Sequence, residues 1–301
     1  MTNQKLQGTT PADNVDGEML SVISRDGVLN RLTLYRAALD RAVLLCMPAM
    51  GVRASFYRPL AVQLALAGWH VVTADLRGVG ESGVRVKQGA QFGYREMLEQ
   101  DWPANLAAVC EQFPGLPVFL LGHSLGGQLN ALFAAQRPQA VAGLIFSACG
   151  SVYFRGWPFP ASLKILGQSQ LLRGITEVVG YLPGDKVGFG GVEAKGLIRD
   201  WANVALTGRY CPAGSDFDYE AAMGKLELPV LALSYTDDEF APVSATRWLL
   251  AKMPRAQVTH LTLSPSDLGV SAIGHNGWVK NNGKVVQQIA DWLGPRVGML
   301  P

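Results

Sequence analysis

The chain has 301 residues, 49% of them hydrophobic, and a formal net charge of +2 at pH 7. This length and composition allow one large buried core, with or without an insertion, and no apolar run is long enough to span a membrane. Lysines and arginines are scattered rather than clustered, so no nucleic-acid-binding surface is expected.

The cysteines and the N-terminal segment restrict the class of protein further. Four widely spaced cysteines without a C-x-x-C pair argue against a zinc site or a disulfide framework, and three of the four are expected in the core because they fall in apolar or helical stretches. The polar segment Met1–Asp16 lacks the basic start and apolar run of a secretory signal. A cytoplasmic protein without a metal or other cofactor is therefore expected.

Short apolar runs alternate with longer helical patterns, which is typical of an α/β protein with a mostly parallel sheet. In chain order, the predicted elements before residue 149 are hairpin strands 20–24 and 28–35, strand 42–47, helix 57–67, strand 70–74, helix 94–113 with a break at Pro103, strand 117–121, helix 128–136 and strand 141–147.

The pattern changes from Cys149 to about Leu226. Regular strands are not expected there, and helical patterns are short, at 161–172 and 194–206. Insertions this long usually cover a functional site, so residues 149–226 are interpreted as a cap on a core formed by 1–148 and 227–301. Strand 229–234, helix 244–253, strand 257–263 and helix 283–293 then complete the core.

One motif suggests nucleophilic chemistry. Gly122-His123-Ser124-Leu125-Gly126 stands between a buried-strand pattern and a helical pattern. In this context G-x-S-x-G predicts a nucleophile elbow, a sharp turn that presents the serine at the N-terminus of a helix. Ser124 is therefore the candidate nucleophile.

A serine hydroxyl needs an adjacent base, usually a histidine, and the chain contains only four. His70 and His260 lie within predicted strands, and His123 belongs to the elbow with its side chain expected to point away from Ser124. His275 lies in a glycine-flanked loop between the last strand and the last helix. It is the candidate base.

The carboxylate that orients the base is expected in the loop that follows strand 229–234. Asp237, Asp238 and Glu239 all lie there, and neighbouring residues of an extended loop face different ways, so one of them is expected to meet the histidine. Asp267 lies too far along its own loop to be preferred.

Charge that develops on a substrate oxygen requires two backbone donors. The amide of Leu125, directly after the serine, is one candidate, and the amide of Met50 in the loop Pro48-Ala49-Met50-Gly51 is the other.

These residues resemble the α/β-hydrolase superfamily in its serine-hydrolase branch, and the order Ser124, Asp238, His275 matches its nucleophile, acid and base. A proline four residues after Asp238 also resembles the family pattern, which favours Asp238 over Asp237. The segment 75–82 is similar to the D-x-R-G-x-G-x-S signature of members like monoacylglycerol lipases and serine aminopeptidases, and its Arg77 and Ser82 are expected to hold the loop together. The resemblance implies an α/β-hydrolase fold with about eight strands and an inserted cap. Pro48-Ala49 departs from the family's usual His-Gly pair in the oxyanion loop.

The resemblance implies acyl transfer to Ser124 followed by hydrolysis, without a cofactor. Aromatic residues of the cap suggest an apolar acyl pocket, with these substrate-binding candidates: Tyr153, Phe154, Trp157 and Phe159. Acids are not concentrated there, so a small-molecule carboxylic ester is favoured over a peptide. An acyltransferase or peptidase with the same triad, and a non-catalytic binding protein, are the alternatives.

Overall fold

The computed structural model describes residues 15–298. In this range eight strands form one sheet in the order β1-β2-β4-β3-β5-β6-β9-β10, and β7 and β8 form a small separate pair. β1 and β2 are antiparallel, β2 runs antiparallel to β4, and the remaining neighbours of the large sheet are parallel. The mostly parallel α/β sheet expected from the sequence is confirmed.

The strands are β1 Glu18–Ile23, β2 Leu29–Tyr35, β3 Val43–Met47, β4 His70–Ala74, β5 Val118–His123, β6 Gly143–Ser147, β7 Tyr181–Pro183, β8 Val192–Ala194, β9 Pro229–Tyr235 and β10 Gln257–Leu263. The α-helices are α1 Arg58–Leu66, α2 Tyr94–Glu96, α3 Trp102–Gln112, α4 Leu125–Gln136, α5 Ala161–Val179, α6 Gly184–Val187, α7 Lys195–Thr207, α8 Tyr219–Met223, α9 Val243–Leu250 and α10 Gly283–Val297.

The central strands are buried on both faces, and their side chains alternate between two hydrophobic cores. In β3, Val43, Leu45 and Met47 belong to the core that includes residues of α3 and α4. Leu44 and Cys46 belong to the core that includes residues of α1 and α10. This alternation with period two explains why the central strands read as continuous apolar runs rather than alternating ones.

The parallel register brings the carboxyl ends of four strands to one edge of the sheet. Met47 of β3 pairs with Gly122 of β5, and His123 of β5 pairs with Ser147 of β6, whose neighbour β9 ends at Tyr235. Loops that follow such strand ends are the usual location of sites in α/β proteins. The oxyanion loop, Ser124 and the loop with the three acids all begin at this edge.

Most predicted elements are confirmed within a few residues, and the break predicted near Pro103 is present. A π-helical segment, Met97–Asp101, separates α2 from α3, and Pro103 occupies the first turn of α3. A proline is tolerated there because the first N–H groups of a helix have no partner within it.

Two expectations from the sequence are wrong, one for the segment 149–226 and one for the cysteines. Residues 149–226 do contain regular strands, β7 and β8, which pair antiparallel. Each has only three residues, too short for a periodic pattern to be visible in the sequence. Cys110, although helical, is exposed like Cys211, whereas Cys46 and Cys149 are buried. The polar N-terminal segment, up to residue 14, lies outside the described range.

Candidate active site

Ser124 lies on a sharp turn between β5, which ends at His123, and α4, which begins at Leu125. Its backbone has φ 51° and ψ −119°. A positive φ is costly for a residue with a side chain and persists only where the surrounding packing holds it. This strand, turn and helix have the geometry of a nucleophile elbow.

Close backbone contacts require the glycines on either side of the serine. A Cβ added to Gly122 would overlap the Cα of Gly127, and a Cβ added to Gly126 would overlap the carbonyl oxygen of Met47 at the end of β3. The missing side chains let the elbow lie directly against the start of the loop after β3.

His275 and Asp238 form a pair at the same edge of the sheet. Nδ1 of His275 lies 2.9 Å from Oδ2 and 3.0 Å from Oδ1 of Asp238. Oδ1 also accepts hydrogen bonds from the N–H groups of Phe240 and Ala241, at 2.8 and 3.0 Å. The Asp238 side chain is fully buried, whereas the imidazole is 13% exposed. The carboxylate is thus held by its own loop and directed at the ring.

The other acids considered from the sequence take different positions. Oδ2 of Asp237 accepts hydrogen bonds from the backbone N–H groups of Ile273 and Gly274, at 2.8 and 3.1 Å, and so supports the loop that carries His275. Asp267 accepts from the N–H and hydroxyl of Ser264 in a local capping box. Glu239 is exposed and, with Asp238, lines the second cavity described below.

Ser124 and His275 line one cavity, although the described residues include no hydrogen bond between their side chains. Catalytic hydrogen bonds are often long in the absence of substrate and tighten only in the complex. The fold therefore places the predicted base, His275, on the same cavity as the predicted nucleophile, Ser124.

The two proposed oxyanion donors face this cavity as well. Met50 and Leu125 are both lining residues, and within residues 15–298 neither backbone N–H donates a hydrogen bond to another protein atom. Leu125 is the first residue of α4, where the helix dipole favours negative charge. Two free N–H groups beside a serine can donate hydrogen bonds to the oxyanion of a tetrahedral intermediate and so stabilise its negative charge.

The cavity has a volume of about 260 Å³ and is mostly apolar. Val152, Trp157, Ile165, Phe189 and Trp201 contribute to it from the segment between β6 and β9. No Asp or Glu is among its lining residues, all of which belong to the described part of the chain. Such a lining suits an uncharged, largely apolar group.

Of the four aromatic residues predicted to bind substrate, the structure places Trp157 alone at this cavity. The rings of Tyr153 and Phe154 pack against each other, and Tyr153 packs against Trp248 of α9. Phe159 is 80% exposed. These three are not lining residues of this cavity, so the prediction that they bind substrate there is wrong.

A second cavity of about 480 Å³ adjoins the first. The two share four lining residues: Trp157, Ile165, Phe189 and Phe240. Polar side chains of Lys164, Gln168 and Glu239 lie on the second cavity only. The four shared side chains form the wall between the two cavities.

The loop after β4 is held by a buried ion pair whose partner was not evident from the sequence. Arg77 donates to both carboxylate oxygens of Asp101, at 2.9 and 2.7 Å, and to Asp26 at 2.6 Å. The hydroxyl of Ser82 accepts a hydrogen bond from the N–H of Gly78. Arg77 and Ser82 thus hold this loop as expected, but Asp101 lies in the π-helical segment, where nothing in the sequence indicates such a role.

Two buried titratable groups near the site were also missed. His123 is fully buried, and its burial and the neighbouring His275 hold the pKa of its imidazole well below the ordinary value. Burial raises the pKa of Glu193 in β8 to about 7. Glu193 accepts a hydrogen bond from the N–H of Gly191, whose backbone contacts Gly51 of the oxyanion loop. In the sequence, His123 is only a histidine within the G-x-S-x-G motif and Glu193 only an acid in a glycine-rich stretch, so neither position indicates burial.

No three His, Cys, Asp or Glu side chains within residues 15–298 are grouped so that they could hold a metal ion. Over the same range, none of the helices combines the length and the apolar character that crossing a bilayer requires.

Comparison with known proteins identifies relatives of this fold. The family model described as serine aminopeptidase, S33, matches residues 39–170. A monoglyceride lipase of Rattus norvegicus is 26% identical over 276 residues, which cover 86% of this chain and 84% of that protein. A monoacylglycerol lipase of Mycolicibacterium smegmatis is 25% identical over 244 residues, with 75% and 80% covered.

Solved structures show the same architecture. A soluble variant of monoglyceride lipase from Saccharomyces cerevisiae, in complex with a substrate analogue, aligns with a TM-score of 0.66 at 17% identity and covers 97% of this chain and 98% of that one. A putative lipase from Acinetobacter baumannii aligns with a TM-score of 0.66 at 19% identity, with 96% and 94% covered. From the sheet and these solved structures, we conclude that the chain has the α/β-hydrolase fold, and the family model and the lipase relatives show that it is similar to the serine hydrolases with this fold.

Proposed function

We propose that this protein is a serine hydrolase that cleaves carboxylic esters of small molecules through an acyl-enzyme intermediate. The observation that carries the proposal is the contact between His275 Nδ1 and the buried carboxylate of Asp238 at the rim of the cavity that holds Ser124. The relatives named as monoglyceride lipases support the ester class, and monoacylglycerols are included among the proposed substrates.

In the proposed first step, Ser124 Oγ attacks the ester carbonyl carbon while His275 Nε2 accepts the hydroxyl proton. The carbonyl oxygen becomes an oxyanion between the N–H groups of Leu125 and Met50. The C–O bond to the alcohol then breaks, and the alcohol leaves with the proton from His275. Asp238 accepts the Nδ1–H of His275 throughout, which orients the ring and stabilises its charged form.

In the second step a water molecule attacks the acyl-enzyme and transfers a proton to His275. The tetrahedral intermediate collapses, the bond to Ser124 Oγ breaks, and the serine regains its proton from His275. The products are the carboxylic acid and the free enzyme, so no cofactor is required by the balance of atoms.

The residues between β6 and β9 supply much of the apolar lining of the cavity. We propose that this segment, predicted from the sequence as a cap over residues 149–226, covers the site. Trp157, Ile165 and Trp201 of this segment face the same cavity as Ser124. An amine or carboxylate group would find no charged partner of opposite sign there except the catalytic groups. The lining therefore favours an ester with an apolar acyl chain over a peptide.

A fluorophosphonate probe tests the proposed nucleophile. We expect wild-type protein to become labelled, Ser124→Ala to remain unlabelled, and Ser162→Ala, a change of the same kind outside the cavity, to label like wild type. A folded wild-type protein that does not label would exclude serine hydrolysis. Incubating p-nitrophenyl esters with added alcohols or amines separates the alternatives, because an acyltransferase forms the transferred product in preference to the free acid.

A further inference from the structure

A single buried hydroxyl connects the two segments that carry the candidate oxyanion donors. Oη of Tyr57 accepts a hydrogen bond from the N–H of Ala49 at 2.9 Å and lies 2.7 Å from Nδ1 of His123. Ala49 directly precedes Met50, and His123 directly precedes Ser124. The Tyr57 and His123 side chains are essentially inaccessible to solvent.

The protons in this bridge can be assigned from hydrogen-bond satisfaction. The phenol has one proton and already accepts from Ala49, so it donates to Nδ1 of His123, which then carries its own proton on Nε2. In the opposite tautomer Nδ1 of His123 would carry the proton and donate it to Tyr57, which would leave the phenol proton without an acceptor. Nε2 of His123 lacks a hydrogen-bond partner among residues 15–298 in either tautomer. The bridge therefore requires a neutral His123, which agrees with the strongly lowered pKa of this buried imidazole.

The same imidazole also packs against the candidate base. The ring centroids of His123 and His275 are 4.6 Å apart, and the ring of Trp278 packs edge-on against His123 at 5.2 Å. The indole N–H of Trp278 donates to the carbonyl oxygen of His275 at 3.1 Å. A neutral His123 places no second positive charge beside His275 when that ring accepts a proton.

We propose that Tyr57 and His123 are positioning residues that set the separation between the Met50 and Leu125 amides and support the His275 ring. The inference rests on the proposed function. The bridge acts through the backbone and through His275, since neither Tyr57 nor His123 lines the cavity. Through these two contacts, the side-chain hydroxyl of Tyr57 attaches the loop with Pro48-Ala49 to the elbow.

The test is Tyr57→Phe, which removes the hydroxyl and keeps the ring. Loss of an oxyanion donor lowers kcat by about 10²- to 10³-fold. A misplaced donor has a smaller effect, so we expect kcat on a p-nitrophenyl ester to fall roughly 10- to 100-fold with KM changed less than about twofold. Inhibition by an alkyl boronic acid, which mimics the tetrahedral intermediate, should weaken by a similar factor.

Tyr235→Phe is the matched control. Tyr235 is fully buried, its hydroxyl is paired with Ser147 at 2.8 Å, and its ring stacks on Trp278. Both variants lose one buried hydroxyl contact and should lose similar thermal stability. Only Tyr57→Phe should lose kcat and boronate affinity.

Variants at His123 provide a rescue. His123→Asn keeps an acceptor near the position of Nδ1, whereas His123→Phe keeps ring volume without an acceptor. We expect His123→Asn to retain more of kcat than His123→Phe, and Tyr57→Phe to add little in the His123→Phe background. The proposal is overturned if wild type labels with fluorophosphonate and hydrolyses esters while Tyr57→Phe matches wild type, or if Tyr235→Phe loses as much kcat. A wild type that does not label would contradict the proposed function instead.

Discussion

His275 Nδ1 lies 2.9 Å from Oδ2 of Asp238, although the two residues are 37 positions apart along the chain. The carboxylate is fully buried and the imidazole is 13% exposed, so the ring is fixed from its buried side and open on the cavity side. Because Nδ1 faces a carboxylate, the neutral ring carries its proton there and leaves Nε2 free to accept one. The adjacent Asp237 binds the backbone of the same loop instead.

Replacing these two acids separately should give different results. Asp238→Asn presents an amide to Nδ1 and favours the wrong tautomer of His275, so we expect kcat to fall about 10⁴-fold. Asp237→Asn is the matched control. It weakens the hydrogen bonds to Ile273 and Gly274, so we expect a loss of roughly 1–2 kcal/mol of unfolding free energy and a decrease of less than about tenfold in kcat.

Steady-state kinetics measures kcat and urea unfolding measures the unfolding free energy of both variants. Equal loss of kcat in the two variants would contradict the assignment of Asp238 as the orienting acid.

The wall between the two cavities should limit acyl-chain length. Trp157 belongs to both linings, and Trp157→Ala would join the first cavity of about 260 Å³ to the second one of about 480 Å³. We expect kcat/KM for p-nitrophenyl laurate to rise relative to the butyrate by roughly tenfold, since a single extra methylene already changes transition-state binding by about 1–3 kcal/mol.

Phe154→Ala serves as control, because this aromatic residue lies on neither cavity. An unchanged ratio of laurate to butyrate activity in Trp157→Ala would show that the wall does not select for chain length.

The close contact at Gly126 makes a stability prediction. Gly126→Ala would drive a Cβ into the carbonyl oxygen of Met47, so we expect a loss of roughly 3 kcal/mol or more of unfolding free energy, or failure to fold. Gly174→Ala is the matched change in α5, where nothing lies within 4 Å of the added Cβ. A helix-interior alanine there should add about 0.5–1 kcal/mol.

Thermal and urea unfolding of the two variants measure these changes in stability. A Gly126→Ala protein as stable as wild type would show that the elbow and the oxyanion loop are not packed as tightly as described.

Glu193 should give the stability a characteristic pH dependence. Burial raises its pKa from 4.5 to about 7, so between these values the folded protein holds a proton that the unfolded chain has released. The unfolding free energy therefore decreases as pH rises through this window and levels off above it. Glu193→Gln removes this slope, and above pH 7 we expect the variant to be more stable by on the order of 2–3 kcal/mol.

Urea unfolding between pH 4 and pH 8.5 measures the effect, with the exposed Glu81→Gln as a control for the change in charge. If the difference in unfolding free energy between wild type and Glu193→Gln stays constant with pH, a buried, protonated Glu193 is excluded.

Local patterns were sufficient for much of the fold. The apolar runs of β3 and β5 and the helical pattern after Ser124 were placed within a few residues, because burial on both faces of a parallel sheet leaves a direct trace in hydrophobicity. Glycines 122 and 126 marked the elbow for a similar reason, since no other residue fits the backbone contacts there. The three-residue strands β7 and β8 left no such trace.

By itself, the amino-acid sequence determined the alternation of strands and helices, the elbow, and the identity of the candidate base among four histidines, because these depend on neighbouring residues and on composition. Only the tertiary structure decided that Asp237 binds the backbone of the His275 loop, that Trp157 alone of four aromatic residues reaches the cavity, and that Tyr57 joins Ala49 to His123. Each of these depends on the direction of one side chain relative to a segment far away in the chain. That direction is set by strand register and packing, which no local pattern encodes.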